Sequence, residues 1–376
     1  MNFIVSSSVL SGKLAEMSKV MNPKVVDPVL GYFLFRIKGE KLQITASDGD
    51  CTQCSTVDVV STSEDGELCM PSTLLLNAMK NIPEQPLTFI VNPDNYSVVV
   101  KYNNGKFDFQ GRSSEDYIVN TEIKGDFNES VIGSNILSMA ISQTSFAVAT
   151  DDLRPIMCGV YFTVTDGKFQ VAASDGHKLA RNTYPMGTNT ESVGDMSLII
   201  PMKPAKLIKG LSTGEQQVRM LYNEREATFI FENDALHFRL LEGRFPNYNA
   251  VIPKNNDKVA VIDRSALLAA IKRVGVFSSL ASGCIVMRFS GLKVTVSGED
   301  IDFSTSAEEI IFCTYTGADI TIGFKREYLR QILETFTSEE VRISMSDKSR
   351  AALFTPVTDE KEIDNLSLLM PMMVDD

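Results

Sequence analysis

The chain has 376 residues, 44% apolar and 22% charged, with a formal net charge of −12. That length allows two or three domains with separate cores, and no apolar run approaches the ~20 residues of a bilayer span. The opening Met1-Asn2-Phe3-Ile4-Val5 lacks the basic and long apolar regions of a secretory signal, so the expected compartment is the cytoplasm.

A leading strand is predicted over 1–6, then an amphipathic helix over 8–21. Val29-Leu30-Gly31-Tyr32-Phe33-Leu34-Phe35 and Lys41-Leu42-Gln43-Ile44-Thr45-Ala46-Ser47 read as a strand pair, closed by Asp48-Gly49. Leu68-Cys69-Met70-Pro71-Ser72 ends a further strand and opens a second helix over 73–81, with Ser72 as its N-cap and Pro83 as its stop. Strands over 87–91, 96–102 and 106–111 follow, and Asn92-Pro93-Asp94-Asn95 and Asn103-Asn104-Gly105 supply hairpin turns.

The middle third writes the same order again. A helix over 134–149 precedes Ile156-Met157-Cys158-Gly159-Val160-Tyr161-Phe162 and Lys168-Phe169-Gln170-Val171-Ala172-Ala173-Ser174-Asp175-Gly176. Leu198-Ile199-Ile200-Pro201 leads into a helix over 202–211, then strands over 217–221, 227–231 and 236–241. The last third is fainter: a helix over 264–277, Cys284–Phe289, Leu292–Gly298, a helix over 324–336 entered through Ile320-Thr321-Ile322-Gly323, and strands over 341–346, 351–354 and 366–371. From Ser47 to Ser174 is 127 positions and from Ser174 to Ser297 is 123. Solenoid units are shorter, about 20–45 residues, so the period is that of a small domain. Polar linkers near 122–128 and 253–258 give domains 1–122, 128–253 and 254–376. Each holds two helices and roughly eight short strands, an α+β unit.

Cys51-Thr52-Gln53-Cys54 has a spacing used by zinc and redox sites, but no second pair accompanies it, and His177 and His237 lie far away. It is read as two thiols in a strand, and no metal or cofactor is expected. The acidic balance alone argues against a polyanionic partner. The charge is unevenly placed, however. The six predicted helices and their ends carry a surplus of nine positive charges, which leaves a surplus of twenty-one negative ones elsewhere. Helices lining one surface could face phosphates while the remainder repels them. None shows base-reading Arg/Asn clusters or interleaved aromatics, so sequence-independent contact is expected.

Three motifs then decide the resemblance: Ser174-Asp175-Gly176-His177-Lys178-Leu179-Ala180, Glu242-Gly243-Arg244-Phe245-Pro246-Asn247-Tyr248 with Val251-Ile252-Pro253, and Leu368-Leu369-Met370-Pro371-Met372 near the end. With the threefold repeat, the whole chain resembles the bacterial replicative sliding clamps, the beta subunits of DNA polymerase III. The resemblance implies three repeated DNA-clamp domains, each two helices packed on antiparallel sheets, dimerising head to tail into a six-domain ring that encircles duplex DNA. It implies no catalysis. The implied partners are double-stranded DNA, a second copy of the chain, a clamp loader, replicative and translesion polymerases, and mismatch-repair proteins and ligase through short peptide motifs, with no membrane.

By the same resemblance, a peptide pocket is formed by Met157, Ser174, Gly176, His177, Lys178, Leu179, Pro246, Val251, Leu368, Leu369, Met370, Pro371 and Met372. Met-rich walls suit a site accepting several related peptides. The chain departs from the family at Lys178 and Ala250, where arginine is common, and in its acidic ending, so peptide preference should differ in detail. Lys24 matches a basic inner-loop position. The helix charge count adds Lys80, Lys203, Lys206, Lys209, Arg264, Lys272, Arg273 and Lys325 as DNA-facing candidates. Phe107 and Phe109 are expected to meet Val276 and Phe277 of a partner at the dimer seam.

Two rivals stand beside this reading. Ser174, Asp175 and His177 could form a nucleophile cluster, but they are close in sequence for triad geometry, and no oxyanion-hole glycine run accompanies them. No phosphate-binding Gly-rich loop suggests ATP use. The other rival is a multi-domain peptide-binding scaffold that does not encircle DNA; the helix charge argues against it.

Overall fold

The computed structural model describes residues 1–22, 27–151, 153–165, 167–185, 196–358 and 364–374. The chain divides into two compact units, one of Met1–Ser138 with Lys203–Leu240, the other of Met139–Met202 with Leu241–Asp376. The α-helices among the described residues are α1 (Ser7–Met17), α2 (Ser72–Met79), α3 (Ser134–Thr144), α4 (Met202–Leu211), α5 (Arg264–Val274) and α6 (Arg326–Thr335).

Each helix buries one stripe. Leu10, Leu14 and Met17 do so on α1, and Leu329, Ile332 and Leu333 on α6, the i, i+3, i+4 spacing of an amphipathic helix. The predicted helices over 134–149 and 264–277 each end in a tighter last turn, Ser145–Ala147 and Gly275–Phe277. Asp263 caps α5 by accepting from the Ala266 amide at 2.6 Å. Ser72 is not the predicted N-cap. Pro71 holds that position without a side-chain cap bond, and Ser72 Oγ donates to the Gly31 carbonyl at 2.6 Å.

Among the described residues, all strand pairing is antiparallel. The first unit holds a five-stranded and an eight-stranded sheet, the second a twelve-stranded sheet. The repeated hairpin recurs in matching form, with Leu34 opposite Thr45, Tyr161 opposite Ala172 and Arg288 opposite Thr295. Alternate residues turn inward, as Val341, Ile343 and Met345 do in Glu340–Met345.

The sheets continue from one repeat into the next. Strand Cys51–Asp58, after the first Ser-Asp-Gly turn, pairs with Asp234–Arg239, the last strand of the second repeat, from Phe238 opposite Cys51 to Asp234 opposite Ser55. Strand Lys178–Pro185, after the second turn, pairs with Asp364–Leu369, the last strand of the third, from Leu369 opposite Lys178 to Asp364 opposite Thr183. The third copy of this joint is left open. Strand Thr305–Thr316 pairs with Lys293–Asp300 over 305–312 and meets Lys258–Asp263 only over 313–316. Strand Gly105–Gln110, which ends the first repeat, pairs with Ser97–Tyr102 alone. Among the described residues, then, one edge of 305–312 and one edge of 105–110 carry no partner strand.

Candidate functional site

The second Ser-Asp-Gly turn is built by its own side chains. Asp175 Oδ1 accepts from the His177 and Lys178 amides at 2.8 and 2.9 Å, and Oδ2 receives the Lys178 ammonium at 2.7 Å. Burial alone would push the Asp175 carboxyl up. The Lys178 ammonium and the two amides outweigh it and hold the group below its ordinary value. Gly176 has φ +90°, and a Cβ there would stand 2.5 Å from Arg154 Nη1, which donates to the Asp175 carbonyl. Ser174 Oγ donates to the Lys178 carbonyl at 2.9 Å and accepts from the Gly176 amide. The hydroxyl therefore holds a turn, and the first copy uses Ser47 in the same way on the Cys51 carbonyl and Gly49 amide.

The ladder between Lys178–Pro185 and Asp364–Leu369 clasps this turn to the segment 368–372, and the Met370 amide donates to the His177 carbonyl at 2.8 Å. Leu179 and Leu368, opposite each other, join Ala172, Ile199, Phe245, Tyr248 and Ala351 in one buried apolar cluster. Around it, Met157 and Pro371 are half-buried, Met372 is half-buried with its amide on the Gly323 carbonyl at 2.8 Å, and His177, Pro246, Val251 and Met370 are exposed. Exposed and half-buried apolar side chains, three of them methionines, thus surround the buried cluster. Leu369 is not among them. Strand alternation turns it away from Leu368, fully buried, into the core of the third repeat.

Lys178 is itself only 5% exposed, and its Nζ lies 4.0 Å from the centroid of the Tyr328 ring on α6. Lys325 Nζ lies over the same ring at 4.8 Å. This places Lys325, read from sequence as a DNA contact, beside the expected peptide pocket. Tyr328 was not found by the sequence reading, because counting helix charges passes over an aromatic on the same helix.

The other basic candidates separate by partner. Lys80 is exposed at the end of α2, and Lys206 and Lys209 are exposed on α4 opposite its buried Ala205, Leu207, Ile208 and Leu211. Among the described residues these three form no ion pair. Lys203 binds the Asp48 carboxylate and the Val20 carbonyl. Arg264 is a strut: its Nε and Nη1 donate to the Ser338 and Leu333 carbonyls at 2.8 and 3.2 Å. Lys272 pairs with Glu334 at 2.9 Å, and Arg273 with Glu309. Lys24 lies outside the described residues.

Phe107 and Phe109 lie on one face of Gly105–Gln110, half-buried, with ring centroids 6.2 Å apart. Val276 is 76% exposed and Phe277 42%. Cys51 and Cys54 stand three apart on one strand and so point to opposite faces. Burial pushes the Cys51 thiol up to about 12, and Cys54 Sγ contacts Thr45 Oγ1 at 3.5 Å.

Three copies of a helix-and-sheet unit, joined strand to strand across repeat boundaries, define a clamp-type protein. Residues 1–120, 131–247 and 249–373 match the N-terminal, central and C-terminal domains of the DNA polymerase III beta subunit. The chain belongs to that family. It is 26% identical over 373 residues to the beta sliding clamp of Pseudomonas putida, covering 99% of this chain and 100% of the relative. It is 25% identical to that of Escherichia coli K12, covering 92% and 93%. Among solved structures, a Pseudomonas aeruginosa sliding clamp bound to griselimycin matches with a TM-score of 0.92 at 25% identity, covering all of both chains. The beta subunit from Streptococcus pyogenes shares the fold at a TM-score of 0.91 and 19% identity.

Proposed function

We propose that this chain is a DNA sliding clamp of domains 1–122, 128–253 and 254–376. Two copies close head to tail around duplex DNA, hold it without reading sequence, and tether polymerases and other partners through short peptides in a groove at the apolar cluster. The observation that carries this is the joint made twice and left open once. The strand after the Ser-Asp-Gly turn takes the last strand of the next repeat in two places, and the unpaired edges of 105–110 and 305–312 are the two halves of a third such joint. A second copy can supply each missing half, which is a heterologous contact that closes if the rotation does. Phe107 and Phe109 on one edge, and Val276 and Phe277 beside the other, give the seam apolar surface. The exposed Lys80, Lys206 and Lys209 supply loose phosphate contacts that topological retention leaves free to slide.

Two measurements test it. The mass in solution should be twice 41.5 kDa, and protein loaded on a closed circular plasmid should be released on linearisation. A stable monomer, or equal retention on circular and linear DNA, overturns the proposal. Ser174→Ala should affect only the turn, with no catalytic activity to lose. Griselimycin, bound by the Pseudomonas aeruginosa relative, should bind here too and be lost on Val251→Glu if it occupies the groove.

A further inference from the structure

Beside the groove lies a second, polar cavity of about 560 Å³ on the second unit. Its lining includes Tyr161, Lys168, Gln170, Arg244 and Tyr248. Residues 168, 170, 172 and 174 share one face of strand Lys168–Ser174. Ala172 belongs to the apolar cluster under the groove, so the same strand face runs from groove to cavity. Tyr161 stacks on Phe245 with centroids 4.7 Å apart, and Tyr248 donates its hydroxyl to Gln170 Oε1 at 3.1 Å, so the lining side chains hold one another.

The repeat shows what is unusual here. In the first copy, Lys41 stands opposite Asp58 across the strand pair and its ammonium binds that carboxylate at 2.5 Å. In the second copy, the equivalent Lys168 stands opposite Pro185. The position opposite the cation thus holds no carboxylate in this copy. Arg244 adds a second cation, no carboxylate lines the cavity, and among the described residues neither cation forms an ion pair. A cavity with aromatic walls, amide and hydroxyl groups and two unmatched cations is complementary to a carboxylate side chain arriving from outside.

We propose that this cavity is an extension subsite that takes an Asp or Glu residue flanking the peptide held in the groove. The proposal rests on the groove reading above. It makes the cavity a specificity determinant: partners whose docking segment continues into an acidic residue bind tighter than those that do not.

The test uses the full-length chain and a short apolar peptide selected against it by display, with binding abolished by Met370→Glu as the criterion for groove occupancy. The peptide is extended at either end with three Glu, three Ala or three Lys residues, and affinities are read by fluorescence anisotropy. Two partly exposed ion pairs give about a 3- to 10-fold preference for the Glu extension at one end over Ala, with Lys weakest. The preference should shrink at high salt and disappear in Lys168→Ala with Arg244→Ala, while the Ala-extended peptide binds as before. Pro185→Asp, which restores the carboxylate found opposite Lys41, should remove the share due to Lys168. Equal binding of Glu and Ala extensions at both ends, or a preference that survives the double variant, overturns the subsite. Failure to select any peptide sensitive to Met370→Glu overturns the groove reading instead.

Discussion

The Lys178 ammonium bridges the Asp175 carboxylate at 2.7 Å and the Tyr328 ring at 4.0 Å, tying the turn of the second repeat to helix α6 of the third. Both members of the ion pair are largely buried. Removing one partner of a buried pair leaves the other charge uncompensated, at a cost of about 3 kcal/mol. Lys178→Met should therefore lower the unfolding free energy of the second unit by about that amount, read as an earlier urea midpoint at an unchanged slope. Lys178→Arg, which restores the common family residue, should cost far less, because a guanidinium can meet the same carboxylate and ring. Tyr328→Leu removes the cation–π contacts of both Lys178 and Lys325 while keeping an apolar side chain against the core, and should cost about 1–2 kcal/mol. Equal stability of Lys178→Met and the parent would mean that the pair does not hold the turn.

Gly176 gives a sharper local test. Its φ of +90° is a backbone region that side chains avoid, and a Cβ would collide with Arg154 Nη1. Gly176→Ala should destabilise by about 1–3 kcal/mol and weaken peptide binding together with stability. Combining it with Arg154→Ala should return only part of the loss, since that removes the collision and not the backbone strain. Full recovery would show that the contact alone mattered.

Acid sensitivity follows from two groups with depressed native values. His237 is buried beside Thr228 Oγ1 at 2.9 Å; burial pushes its imidazole below 6.5, against the opposing pull of Glu226. The unfolded chain thus binds a proton at a pH where the folded chain does not. The stabilisation is fully present above 6.5 and declines as the pH falls from there through the native value. Asp175 adds to the same trend lower down, its contribution present above its ordinary carboxylate value and lost as the pH drops through its depressed one. Denaturant midpoints should fall on acidification from about pH 6.5, and His237→Gln should flatten the upper part of that slope. A midpoint independent of pH between 7 and 5 would contradict the buried neutral histidine.

The fold was legible because three copies constrain one another: helix and strand order could be checked at fixed offsets, and element types agree along the chain. The turn at 174–178 and the apolar segment 368–372 are legible as motifs, whereas the ladder that joins them appears only in the fold. Leu369 was misread because a continuous apolar run hides which residues alternate inward. A charge count cannot see a partner that is distant in sequence, so the Asp48 carboxylate at Lys203 and the Ser338 carbonyl at Arg264 enter only with the fold. Lys325 was placed with the DNA contacts for the same reason, since Tyr328 enters only when the helix is folded.

That sorting makes the DNA prediction unequal among lysines. Lys206 and Lys209 are exposed one turn apart on α4, whereas Lys203 on the same helix is tied to Asp48. Lys206→Glu with Lys209→Glu should leave thermal stability near that of the parent, speed loss from circular plasmids at low salt and flatten the dependence of that loss on salt, because each lost phosphate contact removes about one counterion from the salt dependence. Lys203→Ala should instead act first on stability, by leaving Asp48 without its partner. The reverse pattern would mean that α4 does not face the nucleic acid.

The open edges lead to the last prediction. Strand Gly105–Gln110 offers one unpaired edge and the paired rings of Phe107 and Phe109, while 305–312 offers the other edge with Val276 and Phe277 exposed nearby. A proline at Asp108 cannot donate to a new ladder, and an aspartate at Val276 would bury a charge in an apolar seam. Because Val276 is 76% exposed in the single chain, Val276→Asp should leave the unfolding midpoint of a monomer unchanged while shifting the mass in solution from twice 41.5 kDa toward one chain. Phe107→Asp should do the same from the opposite edge, and mixing the two variants should not restore a closed dimer, since the two damaged halves meet in one seam and leave it open. Such mixtures should form at most a dimer with one intact seam, detectable by mass yet lost from circular plasmids as fast as from linear ones.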